Sequence, residues 1–261
     1  MGSRRKSIDK KVGSKLDPSS AFFEVVERAY SAFDGPKPTD LGVCRNCCMY
    51  PEIEADFLNP DIRNLPLAYV RDWFFAAADQ PVNKAIWRHL LPRVLEILAV
   101  GEEDPADVGL EVSLSRFPTG DAAQWNATQT EVLWRFADLY LDRQKTNTRD
   151  YLDDVLCMFG LAGYELQRLL ARLDLWSDSE LAWKLYNDWA HPFGGGSIWI
   201  TAFWEAPLNS EVFAWYTSQR LYDRMFQFGL DDATPREIAR KALDVSDMIE
   251  THADWARQGA T

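Results

Sequence analysis

Apolar residues recur every three or four positions along nearly the whole chain, which is the period of a helix that buries one face. Phe22, Val25, Val26, Ala29 and Phe33 form the first run. Asp17-Pro18 opens it as a capping acid before a proline, and Gly35, Pro36 and Pro38 close it. Leu67, Val70, Phe74 and Ala78 mark a second face. Ile86, Leu90, Leu91, Val94, Leu95 and Leu98 mark a third, which Gly101 ends. Thr128 to Glu131, Ser177 to Glu180 and Thr234 to Glu237 each have the spacing of a capping box, a hydroxyl residue followed three positions later by a glutamate. Segments 151–160, 163–174 and 209–228 also read as helices. Segments 108–117 and 198–203 have strand character, but neither finds a partner with which to build a sheet. The predicted fold is therefore all-α, an array of about ten helices. Stacked helical hairpins, as in an irregular HEAT/armadillo-like solenoid, fit this pattern better than a simple bundle. Any repeats are degenerate, because no clean period is visible.

Charge divides the chain. Residues 1–15 carry Arg4, Arg5, Lys6, Lys10, Lys11 and Lys15 against Asp9, a net of +5; the whole chain is at -12, so residues 16–261 carry -17. The expected organisation is a disordered basic tail over 1–16 and a single helical domain over 17–261, with a soft boundary near 144–148. A body this acidic repels nucleic acid, whose binding depends on cations that release phosphate counterions. It steers cationic partners towards itself. No stretch approaches the ~18 apolar residues that a membrane span requires. The N-terminus has no apolar core of a signal peptide. A cytoplasmic protein is the expectation.

Three of the four cysteines lie in VCRNCCMYPEIE, residues 43–54. Cys44 and Cys47 have the C-x2-C spacing with which two thiolates hold one zinc from a tight turn. A structural zinc site needs four ligands, and no second pair exists; Cys48, Cys157, His89, His191 and His252 are the remaining candidates. A thioredoxin-like role lacks its βαβ context. The competing reading is that the thiols line a helix junction as small apolar side chains, with Pro51 starting the next helix. The missing ligands favour it, and no cofactor is expected.

In WRHLLPRVLEIL, residues 87–98, His89, Arg93 and Glu96 would share a face of an unbroken helix. Pro92 lies among them. It lacks the N–H that would bond the Arg88 carbonyl, and it biases Leu91 away from helical angles. A bend or break at Pro92 is expected, which would free His89 to turn towards the cysteines. The polar residues would otherwise satisfy the backbone groups that Pro92 frees.

These stretches together carry a resemblance. Cys44 and Cys47, then Tyr69 and Ala76 to Ala78, then His89-Leu-Leu-Pro92-Arg93-Val-Leu-Glu96, then Trp125 with Glu131, resemble a family of uncharacterised bacterial proteins. That family has an early C-x2-C and an H-x-L-P-R-x-L-E-like signature further on. The resemblance spans residues 44–140. It implies a bacterial, soluble, helical protein and supplies no catalytic residue. Cys48 and the basic tail depart from the family's pattern.

Phosphate-binding, nucleophile-elbow and zinc-protease motifs are missing, and only three histidines exist. Asp153-Asp154 reads as a solvated face, and Gly194 to Gly196 as a linker. Six tryptophans fall between Trp176 and Trp215; most are expected in the core, with an exposed aromatic binding patch as the alternative. These features point to a non-enzymatic protein-interaction module of the immunity or antitoxin type, binding a basic protein partner. The rival is an enzyme or a metal or redox sensor built on Cys44, Cys47 and His89.

Overall fold

The structure is a computed structural model, and it describes residues 10–44, 49–77, 82–190 and 196–258. Eleven α-helices and no strand are found among the described residues, so the chain is all-α. They are α1 (Phe23–Ala32), α2 (Pro51–Asp56), α3 (Leu67–Ala76), α4 (Lys84–Val100), α5 (Ala127–Arg143), α6 (Leu152–Leu161), α7 (Leu166–Asp174), α8 (Asp178–Ala190), α9 (Leu208–Tyr216), α10 (Gln219–Leu230) and α11 (Arg236–Gln258). Segment 108–117 contains only a short 3-10 turn, Leu110–Val112, and 198–203 is irregular. The chain forms two compact units, Met1–Ala137 and Asp138–Thr261. The division falls within α5, upstream of the loop 144–148.

Helix starts follow the local chemistry, with two shifts from the sequence reading. Asp17 does not cap α1. Its carboxylate accepts from Ser19 N and Ser19 Oγ, both at 2.7 Å, which holds a turn, and the helix begins only at Phe23. The box that opens α5 lies two residues earlier than expected. Asn126 Oδ1 accepts from Gln129 N at 2.9 Å and Gln129 Oε1 accepts from Asn126 N at 3.1 Å. Ser177 and Glu180 form their box as expected, with Glu180 Oε2 accepting from Ser177 N at 2.9 Å.

Helix α4 is the spine of unit 1. Asn83 Oδ1 caps its start by accepting from Ala85 N and Ile86 N, and Gly101 ends it at φ 73°, a left-handed angle that suits glycine. The expected break at Pro92 does not occur: the helix runs from Lys84 through Pro92 to Val100. A proline inside a helix costs about 3 kcal/mol. Burying one Leu-sized side chain contributes roughly 1.5–3 kcal/mol. Ile86, Trp87, Leu90, Leu91, Val94 and Leu95 are all fully buried, so packing on several sides outweighs the one lost bond. Trp87 stacks on Trp73 of α3 at 6.0 Å and donates to Thr119 Oγ1 at 2.9 Å.

Unit 2 is built on α6, whose Leu152, Val155, Leu156, Cys157, Met158 and Phe159 are buried without exposure. Its N-terminus is capped from α8: Asp188 Oδ2 accepts from Leu152 N at 2.9 Å. Asp153 is buried here, not solvated. It accepts from Thr201 N at 2.6 Å and from Trp204 Nε1 at 3.0 Å, because the first turn of α6 faces the segment before α9. Helices α10 and α11 form a hairpin that also packs on α8.

Candidate functional site

The predicted signature residues occupy different settings. Cys44 is half-buried, and its backbone N–H donates to the carbonyl of Ala76 at the end of α3, at 3.2 Å. Cys47, Cys48 and His191 lie outside the described residues. Cys157 is an apolar core residue of α6. His89 is half-buried on α4, and its pKa is lowered first by burial and then by the cations Lys37 and Arg88, against a smaller pull from Asp61. The ring is therefore held neutral at physiological pH. Among the described residues, no group of three His, Cys, Asp or Glu side chains is placed to hold a metal ion.

Arg93 and Glu96 are brought together with Tyr30 of α1. Arg93 Nη1 donates to Glu96 Oε2 at 2.5 Å, and Tyr30 Oη donates to the same oxygen at 2.7 Å. Arg93 also donates to the Leu65 carbonyl at 3.3 Å and to the Val12 carbonyl. The expected task of satisfying the carbonyl freed by Pro92 is thus not theirs: they bind the backbone of two other segments. Burial, then the Glu96 charge, pushes the Tyr30 phenol well above its ordinary value, so it stays a donor. A buried guanidinium and carboxylate so enclosed in hydrogen bonds make a structural staple.

The staple also holds the N-terminal segment. Residues 10–16, part of the stretch expected to be a disordered tail, lie against other segments of unit 1 without regular secondary structure. Lys10 Nζ meets Asp56 Oδ2 at 2.8 Å, Leu67 N donates to the Lys11 carbonyl at 3.3 Å, and Lys15 Nζ lies 3.6 Å from Glu96 Oε2. Lys10 and Lys15 of this segment find carboxylates on an acidic body. Residues 1–9 lie outside the described residues.

Unit 2 displays a different surface. Most of its cations are engaged with its own carboxylates: Arg143 and Arg149 with Asp150, Arg172 with Asp142, Lys145 with Asp142 and Glu180, Lys184 with Asp188, Arg220 with Asp174, Arg224 with Asp178, Arg240 with Asp244 and Lys241 with Glu237, whereas Arg236, exposed in the first turn of α11, forms no ion pair among the described residues. Among the described residues, no ion pair is formed by Asp223, Asp231, Asp232, Asp247 or Glu250. These five carboxylates gather on the α10–α11 hairpin.

Tyr222, Phe226 and Leu230 lie beside them at intervals of four on α10. The rings of Tyr222 and Phe226 stack at 5.6 Å and 10°, and Phe226 and Leu230 are 38 % and 60 % exposed. The adjoining stripe of the same helix, Leu221 and Met225, about 100° around the axis, is buried. Desolvation, followed by the charges of Glu250, Asp247 and Asp223, raises the Tyr222 pKa. Arg224 fixes the helix in this rotation. It donates to Asp178 Oδ1 at 2.5 Å, to the Asp174 carbonyl at 3.3 Å and to the Trp176 carbonyl.

Most of the tryptophans between 176 and 215 are in the core, as expected: Trp176, Trp189, Trp204 and Trp215 are buried, and Trp183 and Trp199 are half-buried. The signal that marks α10 is its double stripe: Leu221 and Met225 on one side, Tyr222, Phe226 and Leu230 on another, more apolar surface than one packing partner covers. Comparison of the chain with protein-family models, curated proteins and solved structures finds no match. Among the described residues, no helix is long and apolar enough to cross a membrane.

Proposed function

We propose that this chain is a non-enzymatic protein-interaction module whose partner is a basic protein, an acidic adaptor of the immunity or antitoxin type. The observation that carries the reading is the distribution of charge on unit 2. Most of its cations are engaged within the unit, while five carboxylates of the α10–α11 hairpin, Asp223, Asp231, Asp232, Asp247 and Glu250, form no ion pair among the described residues and outnumber the one hairpin cation in that state whose side chain is described, Arg236. Surplus carboxylates on one hairpin raise the encounter rate with a cationic surface and occlude a basic active site once bound. The α10–α11 hairpin packed on α8 is also the unit from which a stacked-hairpin, HEAT/armadillo-like array is made.

The test is chemical cross-linking of the tagged full chain in its source cells, followed by reconstitution from purified components. The expected result is a stoichiometric complex with a protein of high pI, weakening steeply as salt rises from about 0.05 to about 0.3 M. Co-expression should then relieve any toxicity of that protein. Recovery of no stoichiometric partner, or a complex indifferent to salt, refutes the reading.

A further inference from the structure

Resting on that reading, we infer that the partner's contact element is a basic amphipathic helix that lies along the Tyr222–Phe226–Leu230 stripe of α10. The stripe winds by about 40° at each step of four, and eight residues of helix span about 12 Å, two turns of a docking helix. It is apolar and exposed, yet its edges are anionic. Asp223 follows Tyr222 on α10, exposed Asp247 and Glu250 stand on α11, which packs against α10, and Asp231 and Asp232 follow Leu230 at the helix end. The C-terminal carbonyls of α10 add partial negative charge at that same end. Apart from Arg236, which is exposed in the first turn of α11, the cations of the hairpin whose side chains are described have partners of their own. Arg224 and Arg220 reach to Asp178 and Asp174, Lys241 lies over the Tyr186 ring and against Glu237, and Arg240 is 4.0 Å from Asp244.

An apolar centre with an anionic rim is complementary to a helix whose leucine stripe is flanked by lysine and arginine, the helix-in-groove mode of recognition. An acidic helix would place like charges against the rim, which costs affinity at each pair. A second copy of this chain would bring a second set of these carboxylates to the same contact. Charge therefore selects a foreign basic helix over self-association.

The probe is a fluorescent designed helix of about 18 residues with a leucine stripe and lysine flanks. A twin with glutamate flanks serves as the control. Fluorescence anisotropy against the full-length chain should show saturable binding of the lysine helix and none of the glutamate helix. The double variant F226S/L230S should weaken binding about ten-fold. The triple variant D223N/D247N/E250N should weaken it about as much and flatten its salt dependence. Both sets are at exposed positions, and unchanged far-UV circular dichroism and melting would confirm that each variant folds. Equal binding by wild type and F226S/L230S overturns the inference. Loss in the double variant of a dimer seen in the wild type by sedimentation also overturns it, because the stripe would then serve a second copy. The same variants applied to the captured basic partner separate the two proposals. No basic partner for the wild type sinks the function, whereas a partner held equally by wild type and F226S/L230S sinks only this site.

Discussion

Lys184 of α8 is fully buried, and replacing it with methionine tests how unit 2 is held together. Its ammonium lies 2.9 Å from Asp188 Oδ1 and donates to the carbonyls of Asp150 at 2.6 Å and Asn147 at 3.1 Å. Asp188 in turn caps α6 through Leu152 N. K184M keeps most of the side-chain volume and leaves the Asp188 carboxylate buried without its cation. Breaking a buried pair from one side costs about 3–5 kcal/mol. At roughly 2–4 °C per kcal/mol for a chain of this size, the melting midpoint should fall by about 10 °C. The loss should depend on pH. Burial already raises the Asp188 pKa above its ordinary 3.8, with Lys184 opposing that rise. Without Lys184 it rises further. A carboxyl with a raised folded-state pKa contributes stability below the unfolded value and loses it as pH rises through the folded value. The K184M penalty should therefore be larger at pH 8 than at pH 5. K184M/D188N, which removes both charges and keeps an oxygen for Leu152 N, should recover most of the loss. Differential scanning calorimetry at the two pH values measures all of this. A K184M midpoint within about 2 °C of wild type at both pH values would refute the buried-pair argument.

Three further outcomes are expected. Gly229→Ala should lower stability by about 1–3 kcal/mol in urea titration, because its Cβ would stand 2.6 Å from Leu243 Cγ and 3.0 Å from the Ala239 carbonyl, forcing α10 away from α11. R93M should expose Lys10, Lys11 and Lys15 to trypsin, since the guanidinium that binds the Val12 carbonyl is lost and Glu96 keeps only Tyr30 and Lys15; the rate of N-terminal trimming measures it. Asn83→Ala should cost about 1 kcal/mol of thermal stability by leaving Ala85 N and Ile86 N without their cap.

Much of the fold was legible in the sequence, and the failures have specific causes. The apolar period of α1, α4 and α11, the Ser177 box and the Gly101 stop are local, and the structure has them. The break expected at Pro92 does not interrupt α4, because that expectation weighed backbone chemistry alone. The burial that overrides it comes from residues distant in sequence, such as Trp73. Asp153 was misread for the same reason: its donors, Thr201 and Trp204, lie about fifty positions away. The candidate site fared less well. Arg93 and Glu96 were correctly paired on one helix face, but Tyr30 and the carbonyls of Leu65 and Val12 complete their environment.

The sequence by itself determined the helical class, the starts and stops of several helices and the excess of negative charge, because each depends on periodicity, capping or composition within a few residues. Only the tertiary structure decided which charges face water and which apolar stripe stays uncovered. Both stripes of α10 are equally apolar on paper. Arg224 reaches across to the turn between α7 and α8 and fixes the rotation of the helix, so that Met225 is buried and Phe226 is displayed among carboxylates.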